Sequence, residues 1–155
     1  RCAIVTGVQT CALPISLESL RSGDRILIAE SCSHHAMEDD IGRVKIPRWI
    51  RQFTGLDLHF DVYAGRDFPD NLAEYRLVVQ CGGCMHNRRE MLSRIHRAES
   101  AGVPITNYGL CISCTQGVLQ RVLSPFPAAL DAFESAAATA LNRANTAKNG
   151  RPCME

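Results

Sequence analysis

Short apolar runs alternate with helix-like segments along this 155-residue chain, and this alternation limits the possible folds more than any other feature. Four runs have the length and pattern of strands, two of them apolar enough to be buried on both faces: residues 25–30, 56–63, 75–80 and 103–108. Helical patterns cover residues 41–53, 87–101, 111–123 and 128–144. Strands connected by helices favour a parallel sheet with crossover connections.

The predicted fold is therefore α/β: an open, four-stranded, mainly parallel sheet with flanking helices, Rossmann-like, with strand order 2-1-3-4. Right-handed crossovers bring the carboxyl ends of all strands to one edge of such a sheet. Sites in open α/β sheets form at that edge, where the strand order reverses. In this order the loops after strands one and three lie side by side.

Those two loops carry the metal-binding side chains of the sequence. Cys32 and His34 follow the first strand, and Cys81 and Cys84 follow the third. Thiolates and an imidazole that converge at one sheet edge are ligands suited to zinc or to an iron–sulfur cluster. The glycines of the Cys81–Cys84 loop allow backbone N–H groups to approach the sulfurs, and the following helix start favours negative charge. The sequence predicts a metal site assembled from two distant segments.

Composition excludes several functional classes. Net charge is +1, with 46% hydrophobic and 21% charged residues, which gives no general attraction to nucleic acid or to an acidic membrane surface. No segment approaches the roughly 18 apolar residues of a membrane span. Eight cysteines are more than usual, but fewer than in a small disulfide-stabilised scaffold. We expect a cytoplasmic protein with reduced thiols.

The ends of the chain are expected to lie outside the domain. Residues 1–15 resemble translated sequencing-adaptor read-through and are interpreted as an assembly artefact. Residues 16–144 form the predicted domain, and residues 145–155 are predicted to be a disordered tail.

Several long motifs carry a family resemblance. From about Leu17 to Phe126 the chain resembles the C-terminal region of HydF, the GTPase maturation factor of [FeFe]-hydrogenase. The matching runs are Glu30-Ser-Cys-Ser-His-His35, Glu38-Asp-Asp-Ile-Gly-Arg-Val-Lys-Ile-Pro-Arg-Trp49, Cys81-Gly-Gly-Cys-Met85, Asn87-Arg-Arg-Glu-Met91 and Gly102-Val-Pro-Ile-Thr-Asn-Tyr-Gly109.

The resemblance implies that Cys32, Cys81 and Cys84 bind a [4Fe–4S] cluster, with His34 as a candidate fourth ligand. It implies a scaffold that carries a di-iron precursor to apo-hydrogenase, works with partner maturases, and assembles as a dimer or tetramer. The family also has a GTPase domain, but this sequence contains no G-x-x-x-x-G-K-[S/T] motif. We therefore expect no GTP binding and no enzymatic turnover from this chain.

Two departures from the family pattern keep alternatives open. The residue before Cys81 is Gln80, where the family has His, so the fourth ligand is His34, a nearby carboxylate or an exchangeable group. A second pair, Cys111 and Cys114, is interpreted as core packing. The alternatives are a structural zinc module for oligomerisation, including a four-cysteine zinc site from both pairs, and a thiol–disulfide redox protein that uses Cys81 and Cys84.

Neighbouring polar residues have simpler interpretations. Gln80 is expected to bond to a loop, and His35 to cap or pack. The acidic run 38–40 is predicted to cap the following helix. The basic residues of that helix are interpreted as a solvated face, with docking of a partner as the alternative: Arg43, Lys45, Arg48 and Arg51.

Overall fold

The computed structural model describes residues 16–17, 19–31, 39–135 and 138. The predicted artefact at residues 1–15 and the predicted tail at 145–155 lie outside these ranges, as do Cys32, His34 and His35. The elements in chain order are β1 (Arg25–Ala29), a π-helical turn (Ile41–Lys45), α1 (Ile46–Thr54), β2 (His59–Tyr63), a 3₁₀ turn (Leu72–Glu74), β3 (Leu77–Gln80), α2 (Arg88–Ser100), β4 (Ile105–Asn107), α3 (Tyr108–Thr115), α4 (Leu119–Leu123) and α5 (127–135).

Within the described part of the chain, four parallel strands form one sheet in the order β2-β1-β3-β4. The predicted α/β fold and strand order are confirmed. In the central pair, Ala29 of β1 lies opposite Gln80 of β3, so both strands end at the same level of the sheet. The loops that begin at Glu30 and Cys81 therefore leave the sheet as neighbours.

Helices cover both faces of the sheet because the central strands are apolar on both sides. Ile26 and Ile28 pack into a core with side chains of α1, α3 and α4, including Ile50. Leu27 and Ala29 face the opposite core, which α2 helps to cover. Each fully buried Ile or Leu side chain contributes about 1.5–3 kcal/mol of hydrophobic stabilisation. This two-sided core holds the carboxyl ends of β1 and β3 in place.

Two helix predictions were partly wrong. The predicted helix over residues 111–123 is two helices, α3 and α4, and the chain turns between them at Gly117 with a φ of 71°. The spacing of Met91, Leu92, Ile95 and Ala98 predicts one apolar stripe along the second helix. On α2 only Ile95 and Ala98 of these are buried, and Leu92 is 40% exposed. Arg94 takes a buried position on that helix instead, because the loop after β2 provides a carbonyl and an aromatic ring for it.

The remaining elements agree with the sequence in type and differ in extent. The predicted second strand at 56–63 begins only at His59, and the predicted third strand at 75–80 begins at Leu77, after the 3₁₀ turn. The predicted helix at 41–53 starts as a π-helical turn, and Pro47 lies in the first turn of α1, where the fixed φ of proline is compatible with a helix. Among the described helices, none has the length and apolarity needed to cross a membrane.

Candidate functional site

The loops after β1 and β3 meet through direct hydrogen bonds at Cys81. The backbone N–H of Cys81 donates to the carbonyl of Ala29 at 2.9 Å. The backbone N–H of Ser31 donates to Cys81 Sγ at 3.0 Å, and the Ser31 hydroxyl lies 3.1 Å from the same sulfur. The sulfur thus receives a backbone N–H and lies beside a hydroxyl. The sheet edge therefore supplies a polar setting for this thiol.

The Cys81–Cys84 loop turns sharply before α2. Gly83 has a φ of 68°, and a Cβ at this position would lie 2.5 Å from Met91 Sδ, so both backbone conformation and space favour glycine. Cys81 is partly buried and Cys84 is exposed, and both are thiols rather than halves of a disulfide. The loop thus presents one sheltered sulfur and one accessible sulfur.

A cavity of about 240 Å³ lies beside these two cysteines. Four parts of the chain form its wall: the segment directly after β1, the start of the π-helical turn, the Cys81–Cys84 loop and the first residue of α3. The lining residues are Glu30, Ser31, Asp40, Ile41, Gly42, Cys81, Gly82, Gly83, Cys84 and Tyr108. The cavity is large enough to accept a small inorganic group or several waters.

The π-helical turn approaches this cavity because of Asp40 and Gly42. The Asp40 carboxylate accepts the backbone N–H groups of Gly42 at 2.8 Å and Arg43 at 2.9 Å, so the predicted capping role is confirmed for this residue. A Cβ at Gly42 would collide with Tyr108 Oη and lie 2.7 Å from a carboxylate oxygen of Glu30. Only glycine permits this close approach of turn, tyrosine and glutamate.

The negative charge of Glu30 is already compensated. This residue is 4% exposed, and its Oε2 accepts both Nη2 of Arg43 at 2.9 Å and Nε at 3.1 Å. The ion pair raises the pKa of Arg43, chiefly through the hydrogen bond to Glu30. Paired in this way, the carboxylate tolerates burial at the cavity wall.

Tyr108 places a hydroxyl group in the cavity wall. Its Oη is fully buried, and among the described residues nothing accepts or donates a hydrogen bond to it. An unsatisfied buried hydroxyl costs about 1–3 kcal/mol. Burial raises the pKa of Tyr108 well above its ordinary value, and the nearby charges of Glu30 and Cys81 add to the effect. The phenol is therefore neutral and a hydrogen-bond donor throughout the physiological pH range.

Ser31 also links Cys81 to a second polar side chain, His86. The Ser31 hydroxyl lies 3.1 Å from Nδ1 of His86. Burial, with a contribution from the neighbouring Arg94 charge, lowers the pKa of His86, so its imidazole is neutral at pH 7. The Cys81 sulfur is thus linked through the Ser31 hydroxyl to the imidazole of His86.

A buried cation, Arg94, lies near the His86 side of these polar contacts. Arg94 is 1% exposed, donates to the carbonyl of Gly65 at 2.7 Å, and stacks 5.1 Å from the ring centroid of Phe68. Burial lowers its pKa, while its electrostatic interactions with Glu90 and Cys81 act in the opposite direction. An anionic group at Cys81 therefore faces a fixed positive charge from within the protein.

Cys111 and Cys114 belong to the core rather than to this site. Both lie in the core between the sheet and the helices α1, α3 and α4, with Cys111 1% exposed. Burial, and to a lesser degree Cys114, raises the pKa of Cys111 to about 12. In the described ranges no three His, Cys, Asp or Glu side chains are grouped to hold a metal, so the alternative four-cysteine zinc site is not formed. The core-packing interpretation is the one that fits.

The other predicted residues divide into three groups. Cys32 and His34 lie outside the described residues, and their ligand role stays a prediction. Gln80 is 3% exposed, and its Oε1 has no hydrogen-bond partner in the described part of the chain, so the expected bond to a loop does not involve this oxygen.

The third group is the basic residues, most of which have partners within the protein. Arg43 binds Glu30, Lys45 lies 2.9 Å from Asp39, and Arg51 donates to the carbonyl of Leu58. These contacts are more specific than the solvated face predicted from the sequence. Arg48, in contrast, is exposed as expected.

Sequence reasoning missed the groups that surround Cys81. Ser31, His86, Arg94 and Tyr108 all come from different elements, so no local pattern connects them. Two signals were available: His86 follows Cys84 by two residues, and Tyr108 follows β4 at the same sheet edge.

A comparison with protein families identifies the chain. A family model described as the hydrogen maturase F tetramerization domain matches residues 5–125, which is more than half of the chain. No curated protein matches it. The HydF resemblance of the cysteine motifs is thereby confirmed at the level of the family. The chain belongs to the hydrogen maturase F tetramerization domain family.

Proposed function

We propose that this tetramerisation domain of a hydrogenase maturation factor also holds a [4Fe–4S] cluster through Cys32, Cys81 and Cys84. In this proposal it acts as a scaffold that transiently carries a di-iron precursor, rather than as an enzyme. The observation that carries the proposal is the contact between Ser31 and Cys81 Sγ, which joins the two cysteine-bearing loops at one sheet edge.

The groups around Cys81 fit an iron–sulfur cluster. Thiolates are the usual ligands of such clusters, and hydrogen bonds to their sulfurs adjust the reduction potential. The backbone N–H of Ser31 supplies one such bond to Cys81, and the buried Arg94 supplies positive charge toward the same sulfur. Cys84 is exposed on the same loop and would supply the second thiolate.

The third thiolate is expected from the residue after Ser31. Consecutive Cα atoms lie about 3.8 Å apart, so covalent continuity keeps Cys32 next to a residue that already contacts Cys81. With three thiolates as ligands, one metal position accepts a further group, either His34 or an exchangeable ligand. When bound, the cluster supplies electron-transfer capacity and this exchangeable position.

The cavity next to Cys81 and Cys84 supports the carrier role. A volume of about 240 Å³ at the ligand sulfurs gives access for a small inorganic group at this sheet edge. The di-iron precursor is that cargo, which the scaffold binds and then releases. Apo-hydrogenase and the partner maturases are the proposed recipients and donors of the precursor.

Anaerobic reconstitution of the 155-residue chain with iron and sulfide tests the proposal. We expect a brown protein with four irons and four sulfides per chain, and loss of the cluster in Cys32→Ala, Cys81→Ala and Cys84→Ala. Cys114→Ala, in the core, is the matched control and should load normally. Full iron occupancy in the Cys32→Ala chain would contradict the proposed ligand set. A colourless protein that retains zinc would instead support the structural zinc module, and a Cys81–Cys84 disulfide would support the redox protein.

A further inference from the structure

The hydroxyl of Tyr108 belongs to a residue of the cavity wall and makes no hydrogen bond to any described residue. Tyr108 is the first residue of α3, and its ring packs against the core beneath that helix. Its Oη is fully buried, and no hydrogen-bond partner for it lies among the described residues. A phenylalanine would provide the same packing without a buried polar atom, so packing alone does not explain the hydroxyl.

The polar neighbours of this hydroxyl make no hydrogen bond with it. The Glu30 carboxylate binds Arg43 through Oε2, with distances of 2.9 and 3.1 Å. Its other oxygen, Oε1, lies near the same Gly42 site as the Tyr108 hydroxyl but makes no hydrogen bond with it. Cys81 Sγ faces the N–H and hydroxyl of Ser31. The missing side chain at Gly42 leaves the space that the Tyr108 hydroxyl occupies. Among the described residues the phenolic O–H therefore has no acceptor, and it can donate to a group that enters the cavity.

We propose that Tyr108 donates a hydrogen bond to the non-cysteine ligand of the metal group held at Cys81 and Cys84. Tyr108 acts as a positioning residue that selects which ligands this metal position retains. The inference rests on the proposed function, because it requires a metal group on these two sulfurs.

The chemistry of a phenol donor defines the class of ligand. Tyr108 favours a small anion or other group that still offers a lone pair after one of its atoms binds the metal, as cyanide does. Tyr108 cannot donate a hydrogen bond to a coordinated imidazole, because the outer nitrogen of that ligand carries a proton and has no free lone pair. The site should therefore discriminate between ligands by hydrogen-bond acceptance rather than by charge at the metal alone.

Cyanide and imidazole titrations of the reconstituted chain test this inference. Ligand binding is followed by electron paramagnetic resonance of the reduced cluster, comparing the unaltered chain with Tyr108→Phe. We expect Tyr108→Phe to weaken cyanide binding about tenfold or more, since hydrogen bonds to charged groups are the stronger ones. Imidazole binding should not change. The matched control is Tyr75→Phe, a buried tyrosine near Asp61 and Arg25, away from the cavity residues.

The outcomes separate this inference from the proposed function. If the unaltered chain assembles no cluster, the proposed function fails and the role of Tyr108 fails with it. If the cluster assembles but cyanide binds equally well to both chains, only the role of Tyr108 is overturned. Should Tyr108→Phe not fold, the C–N stretch of cyanide bound to the unaltered chain provides the test. It should shift between H₂O and D₂O, and an unchanged frequency would overturn the hydrogen bond.

Discussion

At the residue scale, the environment of Cys81 distinguishes it from the other described cysteines. Its sulfur receives a backbone N–H from Ser31 at 3.0 Å and lies 3.1 Å from the Ser31 hydroxyl, which in turn contacts His86. Cys111, in contrast, is surrounded by core side chains. A polar, sheltered sulfur suits a bound thiolate, whereas an apolar setting keeps a thiol protonated.

The Ser31 hydroxyl should adjust the reduction potential of the proposed cluster. A hydrogen bond to a ligand sulfur stabilises the reduced, more negative cluster, so Ser31→Ala is expected to make the potential more negative. Spectroelectrochemical titration of the reconstituted chain measures this directly. Ser93→Ala on the outer part of α2 is the control, because Ser93 is exposed and not a cavity residue. Equal reduction potentials in the unaltered chain, Ser31→Ala and Ser93→Ala would show that the Ser31 hydroxyl does not act on the cluster.

At the element scale, the π-helical turn and the Cys81–Cys84 loop determine the shape of the cavity. The turn begins where Asp40 caps two backbone N–H groups, and π-helical turns are often found at functional sites. Helix α3 contributes Tyr108 from below and buries Cys111 in the core. Each element contributes through one close contact, which makes single substitutions informative.

A matched pair of glycine substitutions tests the closeness of the turn to Tyr108. Gly42→Ala places a Cβ against Tyr108 Oη and 2.7 Å from Glu30, so overpacking should lower the free energy of unfolding by about 1–3 kcal/mol. Gly82→Ala meets nothing within 4 Å and should cost less than about 0.5 kcal/mol. Urea unfolding of the cluster-free chains gives both values. Equal stabilities would mean that the turn does not approach Tyr108 as described.

Burial of Cys111 predicts a specific loss of stability at alkaline pH. Its pKa is about 12 in the folded chain, above the roughly 8.5 of an exposed thiol. In the unfolded chain the thiol loses its proton first, so its stabilising contribution is complete below about pH 8.5 and is lost as the pH rises toward 12. Cys111→Val removes this titration while keeping an apolar side chain. Between pH 7 and pH 10 its urea midpoint should fall less than that of the unaltered chain, and an equal fall would contradict the assignment.

At the scale of the whole molecule, the sheet brings together segments that are far apart in sequence. Glu30 and Cys81 leave adjacent strands because β1 and β3 pair in the centre of the sheet, with the crossover through α1 and β2 between them. The family match adds that such domains form tetramers. Side chains that a single copy leaves exposed, such as Phe53 at 49% and Met85 at 72%, are consistent with association of copies.

Sedimentation equilibrium should show this chain as an oligomer with the mass of four copies. The basis is membership in the tetramerization domain family. The mass should be measured for both the cluster-free and the reconstituted chain. The same mass in each would show that assembly does not depend on metal binding. A monomer at all micromolar concentrations would mean that this chain alone lacks what assembly requires.

The sequence was sufficient for the sheet but not for the details of the site. The runs at β1 and β3 are apolar because both faces are buried, which makes such strands visible without a structure. Buried Arg94 was not visible, because its partners, Gly65 and Phe68, lie in a distant loop. The role of Gly42 was hidden for the same reason, since its close neighbour Tyr108 is 66 residues away.

Iron anomalous scattering from crystals of the reconstituted chain tests the central claim most directly. We predict one iron–sulfur cluster at the carboxyl ends of β1 and β3, bonded to the sulfurs of Cys32, Cys81 and Cys84, with Tyr108 facing its remaining position. Iron bound elsewhere, or a cluster at this edge without a bond to Cys32, would contradict it.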